Sequence, residues 1–285
     1  MSAQPSAKGI GAIASAAVIF SWGFSIVKAI TMDGPVLAMW RVSLGAAVLT
    51  VLAVLFRSRW PRELRFVILA GAAMGLHQVL YIMATQSTSI AIVTLVGAMM
   101  PLLVAVMAQF MVGERFDWMV ALWAVVALAG IGIVVGANLD DPSRSLTGDL
   151  LAVANIVVFT TYFLAAKRSR MGGVGTLPLT ASVMWISVLF VAPIALFAGE
   201  FAAPGARDFG LLALLVLGPG NGHLLVNWAH DRVPASVSSL ILLMVPLLAS
   251  LWAHLVHDEP FGPMHLLGIA VVATAIEGGD RKSVV

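Results

Sequence analysis

Charge in this chain is confined to gaps between apolar stretches of roughly twenty residues, the length that crosses a hydrocarbon core ~30 Å thick. The stretches fall at about 8–30, 34–56, 64–84, 89–111, 116–137, 147–167, 177–199, 208–230, 234–256 and 262–278. Each must be a helix, because lipid offers no hydrogen bonds to an open strand edge. The chain is 60% hydrophobic and 11% charged, with a mean hydropathy of +1.01, against roughly 45–50% and 25% in a soluble domain. Ten spans consume almost all of its 285 residues and leave little for a separate soluble domain. The polar start, Met1 to Lys8, runs into apolar sequence lasting to Ile30, too long for a cleavable signal core. With no cysteine, disulfide and thiol chemistry are excluded.

The two halves share a layout. Pro101-Leu102-Leu103, followed by Glu114 and Phe116, returns as Pro246-Leu247-Leu248 with Glu259 and Phe261, each position displaced by 145 (246 − 101). At the same shift Ala84 falls on Ala229 and Gly75 on Gly220. The longest gap, about Asn138 to Thr147, then divides residues 1–140 from 141–285, five spans to each side. An odd number of spans reverses the chain, so the second half lies upside down relative to the first. The expected fold is all-α and integral to the membrane, two inverted five-helix repeats around a central cavity, which is the architecture of solute carriers.

With the N-terminus inside, twelve of the 16 basic residues fall in cytoplasmic segments, among them Arg57, Arg59, Arg62, Arg65, Lys167, Arg168 and Arg170. Retention of positive charge favours both termini in the cytoplasm. Gly71 and Gly75 in span three, and Gly132 and Gly136 in span five, have the spacing that lets helices approach closely. Packing within one chain is the preferred reading over a dimer seam.

Span eight contains Gly218-Pro219-Gly220-Asn221-Gly222-His223 near its middle. Proline removes a donor and glycine weakens the helix, freeing polar backbone that only protein or a wet cavity tolerates at membrane depth. Span three has Gly75-Leu76-His77-Gln78 at the matching place. Interrupted segments in corresponding positions of two halves point to a substrate site; the plainer alternative is a pair of packing kinks. His77 and Tyr81 lie one turn apart, as do His223 and Asn227, so each pair shares a helix face. Such side chains are costly against lipid and should look inward, onto a cavity or into interhelical hydrogen bonds. Asn155 and Tyr162 in span six and Trp22 in span one join them, since rings with a polar edge suit an apolar ligand body. The expected substrate-binding set is Trp22, His77, Tyr81, Asn155, Tyr162, Gly220, His223, Asn227 and Trp228, with Pro101, Pro219 and Pro246 as hinges or gates.

Arg41 lies ~10 Å inside span two. It either attracts a carboxylate from the outer vestibule or bonds carbonyls of a neighbouring helix, and the second is preferred. His254 and His257 have metal-like spacing but no clear third ligand, so a solvated boundary is expected. No Asp or Glu falls in the middle third of a span, which disfavours a proton-coupled exporter of lipophilic cations. The sequence holds neither an HExxH helix nor a GxSxG elbow to suggest an enzyme.

Trp22-Gly23, Pro35 followed by Arg41, and the twofold Pro-Leu-Leu run ending in Gly113-Glu114 and Asp258-Glu259 resemble the drug/metabolite transporter superfamily, and within it the ten-helix EamA-type group. The likeness covers nearly the whole chain and is most characteristic from Val233-Pro234-Ala235-Ser236 to Glu259. It implies two inverted EamA-type repeats, cytoplasmic termini, a central cavity and export of amino acids or related metabolites. The second half departs from the pattern, with Thr161-Tyr162 in place of the Trp-Gly pair and Met184 as counterpart of Arg41. The expected function is secondary export of small metabolites, most of all amino acids, including aromatic or other bulky neutral ones, across the cytoplasmic membrane by alternating access. The alternatives are a flippase or carrier for sugars or lipid-linked sugars and, less favoured, an integral-membrane enzyme or a channel. The expected partners are a small-molecule substrate and the lipid bilayer, with no nucleic acid, metal or cofactor, in a monomer or homodimer.

Overall fold

The computed structural model describes residues 6–136, 145–198 and 202–257, with 262–264, 266–268, 270–271 and 274 beyond them. Regular structure among the described residues is helical throughout. In chain order the helices are α1 (Ala7–Ala29), α2 (Gly34–Leu55), α3 (Arg65–Ser87), α4 (Ile90–Gly97), α5 (Met100–Met111), α6 (Trp118–Gly136), α7 (Leu146–Met171), α8 (Thr176–Phe197), α9 (Ala206–Leu217), α10 (Pro219–Ala229), α11 (Ala235–Ile241) and α12 (Met244–His257). Eight segments are long and apolar enough to cross a membrane: α1, α2, α3, α4 with α5, α7, α8, α9 with α10, and α11 with α12. They match the expected spans one to four and six to nine. The apolar part of α6, Trp118–Gly130, is shorter. The tenth stretch is described only in fragments, and Glu259 and Phe261 lie outside the described residues, as does most of the expected boundary loop.

Three of these spans come in two pieces. α4 ends at Gly97 and α5 starts just before Pro101; α11 ends at Ile241 and α12 starts just before Pro246; α9 gives way at Gly218 to α10, which Pro219 opens. A proline has no N–H for the carbonyl four residues back, and its ring crowds that carbonyl, so the chain leaves the helix in the preceding turn. At Gly218 the departure is sharp, with φ −90° and ψ −95°. Pro193, by contrast, sits inside α8 without ending it.

The interruption expected at the matching place in span three is absent. α3 runs unbroken through Gly75 and His77. Gly75 serves a close approach instead, since a Cβ there would stand 3.0 Å from the Ser187 carbonyl oxygen of α8. One turn earlier, Ser187 Oγ donates to the Gly71 carbonyl at 2.9 Å. The small-residue spacing in α3 therefore joins two helices of one chain, whereas Gly132 of α6 faces open space. The interruptions that do match between the halves are those before Pro101 and Pro246.

α3 lies between α7 and α8; α2 packs on α8, α1 on α10 and α12, α4 on α7 and α12, and α5 on α7 and α11. Polar bonds pin both ends of the bundle. At one end Ser6 N–H reaches the Arg232 carbonyl at 3.1 Å, Lys167 Nζ donates to the carbonyls of His230 and Val233 at 2.8 and 2.6 Å, and Arg170 meets Asp231 at 2.7 Å. At the other, Asp208 accepts from Thr31 Oγ1 at 2.7 Å and Asp149 from Thr88 Oγ1 at 2.8 Å. The interior between them is largely apolar, and its polar side chains gather in one place.

Candidate functional site

A cavity of about 110 Å³ lies where α1, α2, α3, α7 and α10 meet the breaks between α4 and α5 and between α11 and α12. Gly97, Ala98 and Met100 line it from one break, Leu242, Leu243 and Pro246 from the other. Because Pro101 lacks an N–H, the Gly97 carbonyl loses its helical donor beside this space. Both the C-terminal end of a half-helix, with its partial negative charge, and the N-terminal end of the next, with its partial positive charge, therefore border the cavity from each side.

Aromatic rings form much of the wall. Phe20 and Phe24 come from α1, one turn apart on one face, with Tyr81 of α3 and Phe159 of α7. Phe20 stands 4.7 Å from His223, Phe24 5.2 Å from Tyr81, and Phe159 4.6 Å from His77, all as ring-centre distances. The two imidazoles, one from each half of the chain, face each other edge-on at 6.1 Å.

The polar groups are held by specific bonds. His77 and Asn155 meet at 2.6 Å through Nδ1 and Oδ1. A carboxamide oxygen only accepts, so Nδ1 is the donor in this bond, and in the neutral tautomer Nε2 is left as the ring's acceptor. Asn155 keeps its amide N–H groups for another partner. His223 Nδ1 is buried without a hydrogen-bond partner.

Arg41 overturns the reading preferred from sequence. It is 6% exposed, so it does not snorkel to a surface, and Nη1 has no hydrogen-bond partner, so it does not anchor a neighbouring helix through that group. It lines the cavity, with Cζ 5.5 Å from the centre of the Tyr81 ring. No Asp or Glu is among the lining residues.

Of the residues expected from sequence, His77, Tyr81, Asn155, Pro219, His223 and Pro246 line this cavity. Tyr162 and Asn227 stand behind it: Tyr162 is fully buried, its hydroxyl donates to Asn227 Oδ1 at 3.2 Å, and Asn227 Nδ2 donates to Thr180 Oγ1 at 3.1 Å. These two are spoken for by interhelical bonds. Gly220 borders a small adjoining void with Arg41, Met184 and His223. Trp22 and Trp228 are elsewhere. Trp22 is 41% exposed and meets Trp252 edge-on at 5.2 Å. Trp228 lies under the Arg232 guanidinium at 4.0 Å and lines a larger recess of about 1410 Å³, with Arg59, Arg62 and Gly172 to Pro178, at the Lys167 end of the bundle. Pro101 sits one residue beyond the lining residue Met100.

Sequence reasoning missed Phe20, Phe24 and Phe159. The available signal was the spacing of Phe20 and Phe24, which places Trp22 on the opposite face. Among the described residues no group of three His, Asp or Glu stands close enough to hold a metal, His254 included.

The lining offers one cation, two imidazoles, a carboxamide and loosened backbone within an aromatic box, a composition that orients a small polar solute by hydrogen bonds. The comparisons with known proteins agree with a carrier. The EamA-like transporter family matches twice, over residues 7–136 and 146–276. A probable terminal-alkyne amino-acid exporter of Streptantibioticus cattleyicolor is 25% identical over 284 residues, covering 97% of this chain and 94% of that protein. The threonine/homoserine exporter RhtA of Escherichia coli strain K12 is 25% identical over 261 residues, covering 90% and 85%. A solved crystal structure superposes with a TM-score of 0.76 at 19% identity, over 95% of each chain, which shows a shared fold. The chain belongs to the EamA-like transporter family, the EamA-type transporters of the drug/metabolite transporter superfamily.

Proposed function

We propose that this multi-pass membrane protein exports small amino acids, or metabolites built like them, across the cytoplasmic membrane by alternating access, with both termini in the cytoplasm. The observation that carries the reading is the cavity itself: hydrogen-bonding groups from both halves converge on about 110 Å³ bordered by two interrupted helices. A solute held there touches elements that a rocking motion separates. The volume favours small side chains over the aromatic ones that the sequence reading also admitted, and it offers little room for a lipid-linked sugar.

The two matching halves are taken as inverted five-helix repeats, and the packing supports this. A pseudo-twofold axis demands that contacts between halves exchange. Span one on span eight (α1 on α10) has its mate in span three on span six (α3 on α7). Span one on span nine (α1 on α12) is mated by span four on span six (α4 on α7). Spans two and seven pair with each other, as do spans four and nine. The breaks before Pro101 and Pro246 are the hinges about which the half-helices tilt.

Purified protein in proteoliposomes, loaded in turn with alanine, serine, threonine, valine, phenylalanine, glucose and uridine, tests this. Saturable efflux of the smaller amino acids with trans-stimulation is expected. Efflux of a sugar or nucleoside with no amino acid carried would overturn the cargo, and non-saturable flux would point to a pore.

A further inference from the structure

We propose that Arg41 is the carboxylate anchor of the cavity, so that the cargo must be a monocarboxylate while its amino group is dispensable. This rests on the transport reading above and narrows it. Three observations meet at one side chain. Arg41 is 6% exposed inside a membrane span, where an unpaired charge is among the costliest groups a protein can hold. Its Nη1 lacks a hydrogen-bond partner, and no ion pair joins it to an acid among the described residues. It opens onto the cavity, where the Tyr81 ring beneath it gives a cation–π contact but accepts no forked hydrogen bond.

A guanidinium cannot shed its charge and presents parallel N–H donors that a carboxylate accepts in pairs. The protein supplies no such carboxylate here, so the partner that completes the site arrives as cargo. A sugar or an amine brings no anion and leaves the charge stranded. The α-ammonium of an amino acid finds no counter-charge in the lining. It meets only neutral acceptors, His77 Nε2 and the Gly97 carbonyl being the suitable ones. A hydroxyl in the same place donates to the same acceptors, so 2-hydroxy acids of matching shape are carried as well.

The test uses the full chain in proteoliposomes, with counterflow of radiolabelled L-valine competed by unlabelled L-valine, 2-hydroxyisovalerate, L-valinamide and isobutylamine. The two carboxylates are expected to compete within about threefold of each other, and the amide and amine at least about tenfold more weakly, because a site built around a fork rejects what cannot fill it. R41K keeps the charge without the fork and should raise KM by about tenfold, and R41Q should abolish carboxylate selectivity. Valinamide competing as well as valine overturns the inference while leaving amino-acid export standing. If R41Q fails to fold, the competitor series on the unaltered protein and R41K still decide. If no amino acid is carried, the amino-acid reading falls, and calorimetric titration with 2-hydroxyisovalerate judges Arg41 separately. Binding lost in R41K supports the anchor, and no binding to the unaltered protein removes it.

Discussion

Glu114 is placed to clasp three segments of the chain, and removing its charge should loosen them measurably. Its carboxylate accepts from the backbone N–H of Ala235 at 2.8 and 3.0 Å and of Ser236 at 3.3 Å. It thereby caps α11, a helix of seven residues whose own N-cap, Pro234, offers no side-chain acceptor. Lys167 Nζ stands 3.5 Å from the same carboxylate, itself 5% exposed and bound to two carbonyls. A hydrogen bond to a charged acceptor contributes about 1.5–3 kcal/mol. Glu114→Gln keeps one oxygen for Ala235 and loses the charge, so it should cost about 1–2 kcal/mol after allowance for a side chain that is 22% exposed. Glu114→Ala strands the amides and a nearly buried ammonium together and should cost about 3 kcal/mol. With Lys167→Met in place, the alanine change should cost about 1 kcal/mol less, the coupling between the two charges. Reversible unfolding in mixed micelles, run on all four members of the cycle and on Glu114→Gln, measures these differences. A cost for Glu114→Ala no larger than for Glu114→Gln, or no coupling to Lys167, would refute the clasp.

Two further outcomes follow from the packing. A Cβ at Gly71 would fall on the Ile186 side chain and within 3.1 Å of the Val183 carbonyl oxygen, so Gly71→Ala should lower stability by about 1–3 kcal/mol, whereas Gly132→Ala, with nothing nearby, should stay within about 0.5 kcal/mol. Melting temperatures in detergent distinguish the two. His230, just past the end of α10, is buried with neither ring nitrogen bonded and packs edge-on against Phe163. Burial holds its pKa well below the usual 6.5, and the nearby charges of Lys167 and Arg170 push the same way. The unfolded chain therefore binds the extra proton first, so stability is unaffected above pH 6.5 and falls below it by up to about 1.4 kcal/mol per pH unit. His230→Leu should flatten the difference between pH 5 and pH 7.5; an unchanged difference would assign the acid sensitivity to other groups.

The spans were legible because a bilayer demands long apolar runs and tolerates charge only at their ends. The break at Gly218-Pro219 was legible for the same local reason, a donor removed where the helix was already weak. The role of Gly75 was not, since a glycine that ends a helix and one that admits a neighbour look alike until the neighbour, Ser187 of α8, is in place. Trp22 was chosen for the cavity on the chemistry of its ring, yet α1 turns Phe20 and Phe24 inward. A helix that is apolar all round carries no periodic sign of which face meets protein and which meets lipid. Pro101 and Pro246 were readable as kinks; that both kinks border one cavity depends on α4 packing against α7 and α12, which no local pattern encodes.

The asymmetry at Arg41 and Met184 has a physical cause on the inverted-repeat reading. α2 and α8 are the same span in each half and pack on each other, as spans four and nine also do, so they adjoin the pseudo-axis. Positions 41 and 184 border one small void there. A symmetric pair of arginines would place two like charges side by side in a medium of low dielectric, a repulsion of several kcal/mol at an effective ε of ~20 and ~4 Å separation. One half must therefore surrender its cation, and methionine fills the space without charge. With a single cation the cavity distinguishes its two ends, so on the Arg41 proposal a cargo with one carboxylate would enter in one orientation. Two inverted halves of identical lining would hold it equally well in either.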